Sequence, residues 1–362
     1  MARSLRRAAG VAVVLAAGLV LFGCEMLKGK GTASAVGADS FRLADADVEV
    51  RIAVAELVGS KATAGFAAEL KKLPLPILPK QLAEKSPEAA VAEQLGIESA
   101  DIESVTVSAR AAGEAGAALV AIVTRKPIDS ARVVAALSRT GGGRLVKVGA
   151  HAGVDLYAPE SEADKDVLAF VGPHLAVLGG AQEVKRGIDD HKAGRTVPCE
   201  GALATAIKAA PAGSALVVAI RPTGDLLDAV PIGGGESPLA DMAKKLECVS
   251  LSVRAGEAFD LTACAFAKAE PDAAELRRLA SESLAQAREE TLPMLGTPEM
   301  KPLKDALDGV KVAGGGKVVE IHASLRPEIV KCAMPLMGAM MMGAAGGAEE
   351  PAQEEPEGEI LE

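Results

Sequence analysis

The chain reads as an α+β protein of two similar repeats, each of largely antiparallel hairpins with helices packed on one face. Three observations predict this. Apolar strands come in pairs around Gly-containing turns rather than singly between helices. Paired strands on short turns run antiparallel, whereas a doubly wound parallel sheet needs strand–helix–strand alternation. Amphipathic helical segments follow the hairpins, and much of the pattern occurs twice.

The first strand is VEVRIAV, in which Val48, Val50, Ile52 and Val54 point one way and Glu49 and Arg51 the other. An amphipathic helix follows around Phe66, Leu70 and Leu73, with Glu69, Lys71 and Lys72 on its wet side. The segment ESVTVSARAAGEAGAALVAIVTRKP (103–127) is then a hairpin about a Gly-Glu-Ala turn. It resembles ECVSLSVRAGEAFDLTACAFAKAEP (247–271). Each is followed by a helix, DSARVVAALSR (129–139) in one case and PDAAELRRLASESLAQAREE (271–290) in the other. In the second helix Leu276, Leu279, Ser283, Leu284 and Ala287 share a face. The match resumes where VKVGAHAGVDLY (146–157) lies without gaps on VKVAGGGKVVEI (310–321), again as hairpins. Upstream, VEVRIAV corresponds in kind to SALVVAIRP (214–222). The first copy alone carries the hairpin DVLAFVGPHLAVLGG (166–180), turning at Gly172-Pro173.

The chain therefore divides into a leader (1–23), a flexible Gly-, Lys-, Ala- and Ser-rich tether (24–40), repeat A (41–199), repeat B (200–343) and a disordered acidic tail (344–362). The leader has Arg3, Arg6 and Arg7, then an apolar run from Ala8 to Phe22. That run is right for a signal-peptide core and short for a ~30 Å hydrocarbon layer. It ends in Leu21-Phe22-Gly23-Cys24, which resembles the lipobox of bacterial lipoproteins. The resemblance implies that Cys24 receives a diacylglyceryl group and, after cleavage before it, an acylated amino terminus. Two or more acyl chains anchor stably. The implied partner is thus membrane lipid, through acylated Cys24. Glu25, not Asp, follows the Cys, which resembles an outer-membrane address, facing the periplasm or the cell surface.

Loss of residues 1–23 removes three Arg and no acid, moving the formal charge from −10 to −13. The tail after Gly343 holds seven Glu and no base, leaving −6 on the folded part. Acidity of this kind excludes nucleic acid as a partner, since phosphate backbones call for clustered Lys and Arg. With no Trp and one Tyr, stacking platforms for bases or sugars are nearly absent.

Four cysteines remain beyond Cys24, and an even number in an exported chain permits two disulfides. If Val249-Leu251-Val253 and Phe259-Leu261-Ala263 face one core, residue 253 pairs with 259 and 249 with 263. Cys248 then stands opposite Cys264, within disulfide reach. Cys199 and Cys332 could pair by elimination. The plain alternative is that Cys248 and Cys264 are small buried hydrophobes. No Cys-x-x-Cys occurs, and no metal or other cofactor is expected.

His151, His174, His191 and His322 read as surface or turn histidines, and neither HExxH nor GxSxG occurs, so no catalytic residue is assigned. The Gly-Gly-Gly runs at 141–143, 233–235 and 314–316 read as turns; Val318 follows Gly316-Lys317, where a phosphate loop would place a hydroxyl. Glu160, Glu162, Asp164 and Asp166 read as a solvated loop lacking the Gly of a calcium loop. Leu73-Pro74-Leu75-Pro76-Ile77-Leu78-Pro79 is a stiff connector packed on the core, or a partner-binding strap. Met334, Met337, Met340, Met341 and Met342 fill the packing face of a last helix.

The expectation is a lipid-anchored envelope protein, acting as a non-catalytic binding or scaffold module with an envelope protein as a candidate partner. The alternatives are a hydrolase-type enzyme with its site between the repeats, and an apolar-ligand carrier whose cavity is lined by Ala and Gly.

Overall fold

The computed structural model describes residues 38–70, 96–110, 117–140, 143–160, 166–223 and 242–332. The leader, Cys24, the Pro-rich stretch, the Gly run at 233–235, loop residues 161–165, the Met run and the acidic tail lie outside them.

Twelve strands form one sheet: β1 (Val48–Ile52), β2 (Ile102–Arg110), β3 (Ala117–Thr124), β4 (Leu145–His151), β5 (Val154–Pro159), β6 (Asp166–Phe170), β7 (Leu175–Gly180), β8 (Leu216–Ile220), β9 (Leu246–Ala255), β10 (Phe259–Ala267), β11 (Lys311–Ala313) and β12 (Val318–Leu325). Their order is β11-β12-β10-β9-β8-β1-β2-β3-β7-β6-β5-β4, and every neighbouring pair is antiparallel. The architecture is α+β on a large antiparallel sheet. The helices are α1 (Val54–Val58), α2 (Lys61–Leu70), α3 (Ser130–Thr140), α4 (Ala181–Lys192), α5 (Gly201–Ala209), α6 (Glu270–Thr291) and α7 (Lys301–Gly309). Short 3-10 turns link several of them.

The hairpin turns follow from backbone chemistry. Between β4 and β5, Ala152 (φ 48°) and Gly153 (φ 79°) both take the left-handed region that a two-residue turn demands. In the β11–β12 turn Gly314 has φ 113°, and a Cβ there would lie 2.3 Å from the Val318 carbonyl oxygen. The run 314–316 is therefore a turn device, as its position in a hairpin suggested. Helix α6 starts where Pro271 occupies its first turn beside Glu270 and Asp272, whose charges suit a helix N-terminus.

The expectation of helices on one face is corrected. Along β3, Leu119, Ala121 and Val123 join one buried cluster while Val120 joins another. The first cluster takes Val184 and Ile188 of α4 and Leu203 and Ala206 of α5. The second takes Val54 and Leu57 of α1, Ala62 of α2 and Val133 of α3. A third, smaller cluster seats Ala273 and Leu276 of α6 on Ala267 and Val319. The physical reason is legible in AALVAIVT and LVVAI. Strands covered on both sides carry near-continuous apolar runs, not the alternation of a half-wet sheet. Helix α5, over GALATAIKA, is an element the sequence reading did not single out.

Candidate functional site

The residues preceding β1 form a strap across the first face of the sheet. Its beginning had been assigned to the flexible tether, yet Ala38 and Ser40 are buried in a 3-10 turn. Ser40 Oγ donates to the Arg195 carbonyl at 2.6 Å, and Val197 N donates to the Asp39 carbonyl at 3.0 Å. Phe41 is fully buried against α4, where Gly187 leaves room for its ring, and it lies 5.8 Å from the His191 ring. Further on, Leu43 N donates to Ser108 Oγ of β2 at 3.0 Å.

Beneath the strap lies a buried ionic cluster. Glu49 alternates with the valines of β1, yet its side chain is 1% exposed. Arg42 Nε stands 3.1 Å from Glu49 Oε1, and Arg51 Nε stands 3.2 Å from the same oxygen. Arg42 also pairs with Asp39. Burial still pushes the Glu49 carboxyl above its ordinary range, with the two guanidinium groups pulling the other way. Charged residues sit here because the strap covers them; a sheet face that reads as wet from one strand becomes interior when another segment crosses it.

A second ionic group fastens the junction of β1 and β8. Arg221, just past β8, donates through Nε and Nη2 to Asp47 Oδ1 at 3.0 and 2.7 Å. Its backbone N–H donates to the Asp47 carbonyl, while Asp47 N–H donates to Ala109 of β2. Arg110 pairs with Asp45, and that hydrogen bond is the main reason the Asp45 carboxyl titrates below its usual range. Asp45, Asp47, Arg110 and Arg221 thus tie three neighbouring strands together. The signal for both groups was present as opposite charges at 42, 49 and 51 and at 45, 47, 110 and 221. Only the sheet order brings them together.

Of the residues singled out in the sequence, Cys24 lies outside the described residues. Cys199, Cys248, Cys264 and Cys332 are free thiols in the structure. The expected Cys248–Cys264 opposition is corrected by two residues of register. Val253 pairs with Leu261, Val249 with Ala265, Cys248 with Phe266 and Cys264 with Ser250. The shared apolar face was read rightly, but a shift of two preserves faces while moving partners. Cys332 Sγ lies 3.2 Å from the Glu299 carbonyl, at the α7 end of the molecule, whereas Cys199 precedes α5 beside the Glu49 cluster.

Three of the histidines make ordinary polar contacts, and His191 lies against the Phe41 ring. His151 Nε2 is 2.9 Å from Asp189 of α4, and Lys192 donates to the Ala152 carbonyl, so the β4–β5 turn is docked on that helix. His174 Nδ1 is 3.0 Å from the Thr124 carbonyl. His322 Nδ1 is 3.1 Å from Thr262 Oγ1, and its Nε2 is 3.2 Å from Glu320 Oε2. That hydroxyl–imidazole–carboxylate line lies on the outer strands β10 and β12, not at the junction, with His322 and Glu320 side chains 42% and 39% exposed. Among the described residues no group of three or more His, Cys, Asp and Glu is placed to hold a metal.

No family model matches the chain, and no curated protein matches it. Among solved structures it is similar to crystal form III of TP0453, with a TM-score of 0.46 and 12% identity over 84% of this chain and 99% of the other. Crystal form I of the same protein gives a TM-score of 0.44 and 11% identity, covering 84% and 98%.

Proposed function

We propose that the protein is a lipid-anchored, non-catalytic binding or scaffold module of the cell envelope, built from two similar halves joined edge to edge. The observation that carries this reading is the strap. The segment that follows the tether is pinned to α4 through Phe41 and to the Arg195 carbonyl through Ser40. Past Leu43 it reaches Asp47, whose carboxylate holds Arg221 of the other half. A tether that enters the fold this way transmits its attachment to a rigid platform rather than to a loose terminus.

The register supports two equivalent halves. Val50 pairs with Val218 at the centre of the β1–β8 ladder, the self-pairing expected at a pseudo-twofold axis. Val50 then pairs with Val107, and Val218 with Leu251. Thr106 pairs with Ala121 in one half and Ser250 with Cys264 in the other. The row from Ala121 runs through Val177 and Ala169 to Leu156 and Gly149. From Cys264 it runs directly to Glu320 and Ala313. Leu156 and Gly149 are the residues that align with Glu320 and Ala313 in the duplicated hairpins. The added hairpin β6–β7 is accordingly spliced into the sheet as two strands without disturbing the row.

The anchor is tested by fractionating cells that express the full chain or its Cys24→Ala variant. Release of the variant from membranes is expected, and its retention in the membrane fraction would overturn the lipid anchor. Site-directed photo-crosslinking in intact cells then reports whether a protein partner sits on the platform.

A second reading, an apolar-ligand carrier, is favoured by the second face of strands β9, β10 and β12. There Leu251 and Ala263 are half-buried and Ile321, next in their row, is 37% exposed. Saturable binding of a fluorescent fatty acid, lost in Leu251→Asp, would support it, and no binding would remove it.

A further inference from the structure

We propose that Cys199 and Cys248 are disulfide partners, linking the segment before α5 to strand β9 beneath the strap. Both lie on the first face of the sheet. Cys248 is fully buried in the cluster that also holds Leu203 and Ala206 of α5, and Cys199, four residues before Leu203, packs against that same cluster. Val197 is hydrogen-bonded to Asp39, which holds the segment carrying Cys199 against the strap. Cys264 belongs to the same cluster, but helix α5, which follows Cys199, packs chiefly on β8 and β9 and less on β10, the strand of Cys264. Cys264 sits diagonally from Cys248, with Phe266 directly opposite, and diagonal neighbours on adjacent strands exceed the Cβ separation a disulfide tolerates. Cys332 is held at the Glu299 carbonyl, beside α7. Burial is the main reason both the Cys248 and the Cys264 thiols titrate high; after it, Cys248 feels the charge of Cys199 and Cys264 that of Glu320.

The chemistry is thiol–disulfide exchange with a small-molecule or protein disulfide as oxidant. Cys199, the more exposed thiol, loses its proton to solvent and attacks one sulfur of the donor. The S–S bond of the donor breaks, one donor thiol leaves, and a mixed disulfide remains. Cys248 then gives up its proton and displaces the second donor thiol. Two protein thiols are oxidised and one donor disulfide is reduced to two thiols. Burial holds the Cys248 thiol up to about 11, so the second step is the slow one.

The inference presumes the exported location proposed above for its setting in the cell, but its test does not. The full chain is purified from whole-cell lysate in mild detergent, reduced, exposed to oxidised glutathione, denatured and labelled with a maleimide. Trypsin separates Cys199 in peptide 196–208 from Cys248 in 246–254 and Cys264 in 255–268. The expected result is two labels fewer than in the reduced sample, with 196–208 joined to 246–254, and the same link in Cys264→Ser. Full labelling of all four thiols, stable glutathione adducts on Cys199 and Cys248, or a link to 255–268 would overturn the pairing. An unmodified Cys24 in the same map would count against the lipid anchor alone.

Discussion

Arg42→Met isolates the energetic role of the strap. Glu49 is 1% exposed, and among the described residues Arg51, a side chain 33% exposed, is a second cation on the same carboxylate oxygen. Removing one partner of a buried ion pair costs about 3–5 kcal/mol, because a desolvated charge is left behind. Arg51 persists, so the lower end applies, roughly 3 kcal/mol at neutral pH. The pH dependence has a definite sign. In the folded protein the Glu49 carboxyl already sits above its ordinary value of 4.5, and loss of Arg42 raises it further. A raised acid stabilises the fold while protonated, and that contribution is lost as pH rises through the folded pKa. The penalty of Arg42→Met is thus largest above that raised value and shrinks as pH falls toward the ordinary one. Urea unfolding of variant and parent at neutral and mildly acidic pH measures the difference, in which the other carboxylates cancel. A penalty under about 1 kcal/mol, or one that grows on acidification, would refute the buried-pair account. A double-mutant cycle with Glu49→Met should return a coupling of about 1–3 kcal/mol.

Three further outcomes follow from packing and capping. Gly187→Ala places a Cβ 2.4 Å from the Phe41 ring, so overpacking of about 1–3 kcal/mol outweighs the roughly 0.5–1 kcal/mol that Ala normally adds in a helix. Thermal unfolding should show a lower midpoint, and a higher one would mean that Phe41 does not occupy that slot. Arg288 of α6 donates to the carbonyls of Leu307, Asp308 and Val310 at the end of α7, the nearest at 2.7 Å. Arg288→Ala should cost about 2 kcal/mol and speed hydrogen exchange in 301–310 before the central strands. Ser108→Ala leaves the buried Leu43 N–H without its acceptor, at about 1–3 kcal/mol, visible as faster exchange of the strap amides.

The strands and helices α2, α3 and α6 were legible because their signals are local. AALVAIVT, LVKVGAH and the 22-residue α6 declare themselves through period and turn chemistry, and the gapless match of 146–157 to 310–321 locates two corresponding turns. What could not be read depends on which element crosses which. Glu49 and Arg51 alternate with valines as solvent-facing residues do, and nothing within VEVRI announces a strap above them. Cys248 and Cys264 show the other limit. Apolar alternation fixes the face of a strand but is blind to slips of two residues, and the turn at Gly256 decides the register. The pairs Arg42–Glu49, which is buried, and Asp47–Arg221, in which only the aspartate is buried, span seven and 174 positions. The shorter separation was no easier to see, since both contacts arise only when the sheet is assembled.

The way the sheet ends bears on how a platform of this kind meets a partner. An open edge invites strand addition, and proteins that avoid it use short strands, bulges and lysine at the edge. Both edges here carry such devices. Strand β11 is three residues long with Lys311 exposed. Strand β4 is bulged between Lys147 and Gly149, and Lys147 is paired with Asp155 of β5. A partner that added a strand to β4 would have to follow that kink and displace hydration from a lysine. Edge augmentation is therefore disfavoured, and on the proposed binding-module reading a partner would dock on the faces. The first face is filled near the junction by the strap and α5, whereas the second leaves Leu251, Ala263 and Ile321 incompletely covered. Photo-crosslinkers at positions 251 and 321 should capture a partner where one at 148 does not, and the opposite pattern would return the argument to the edge.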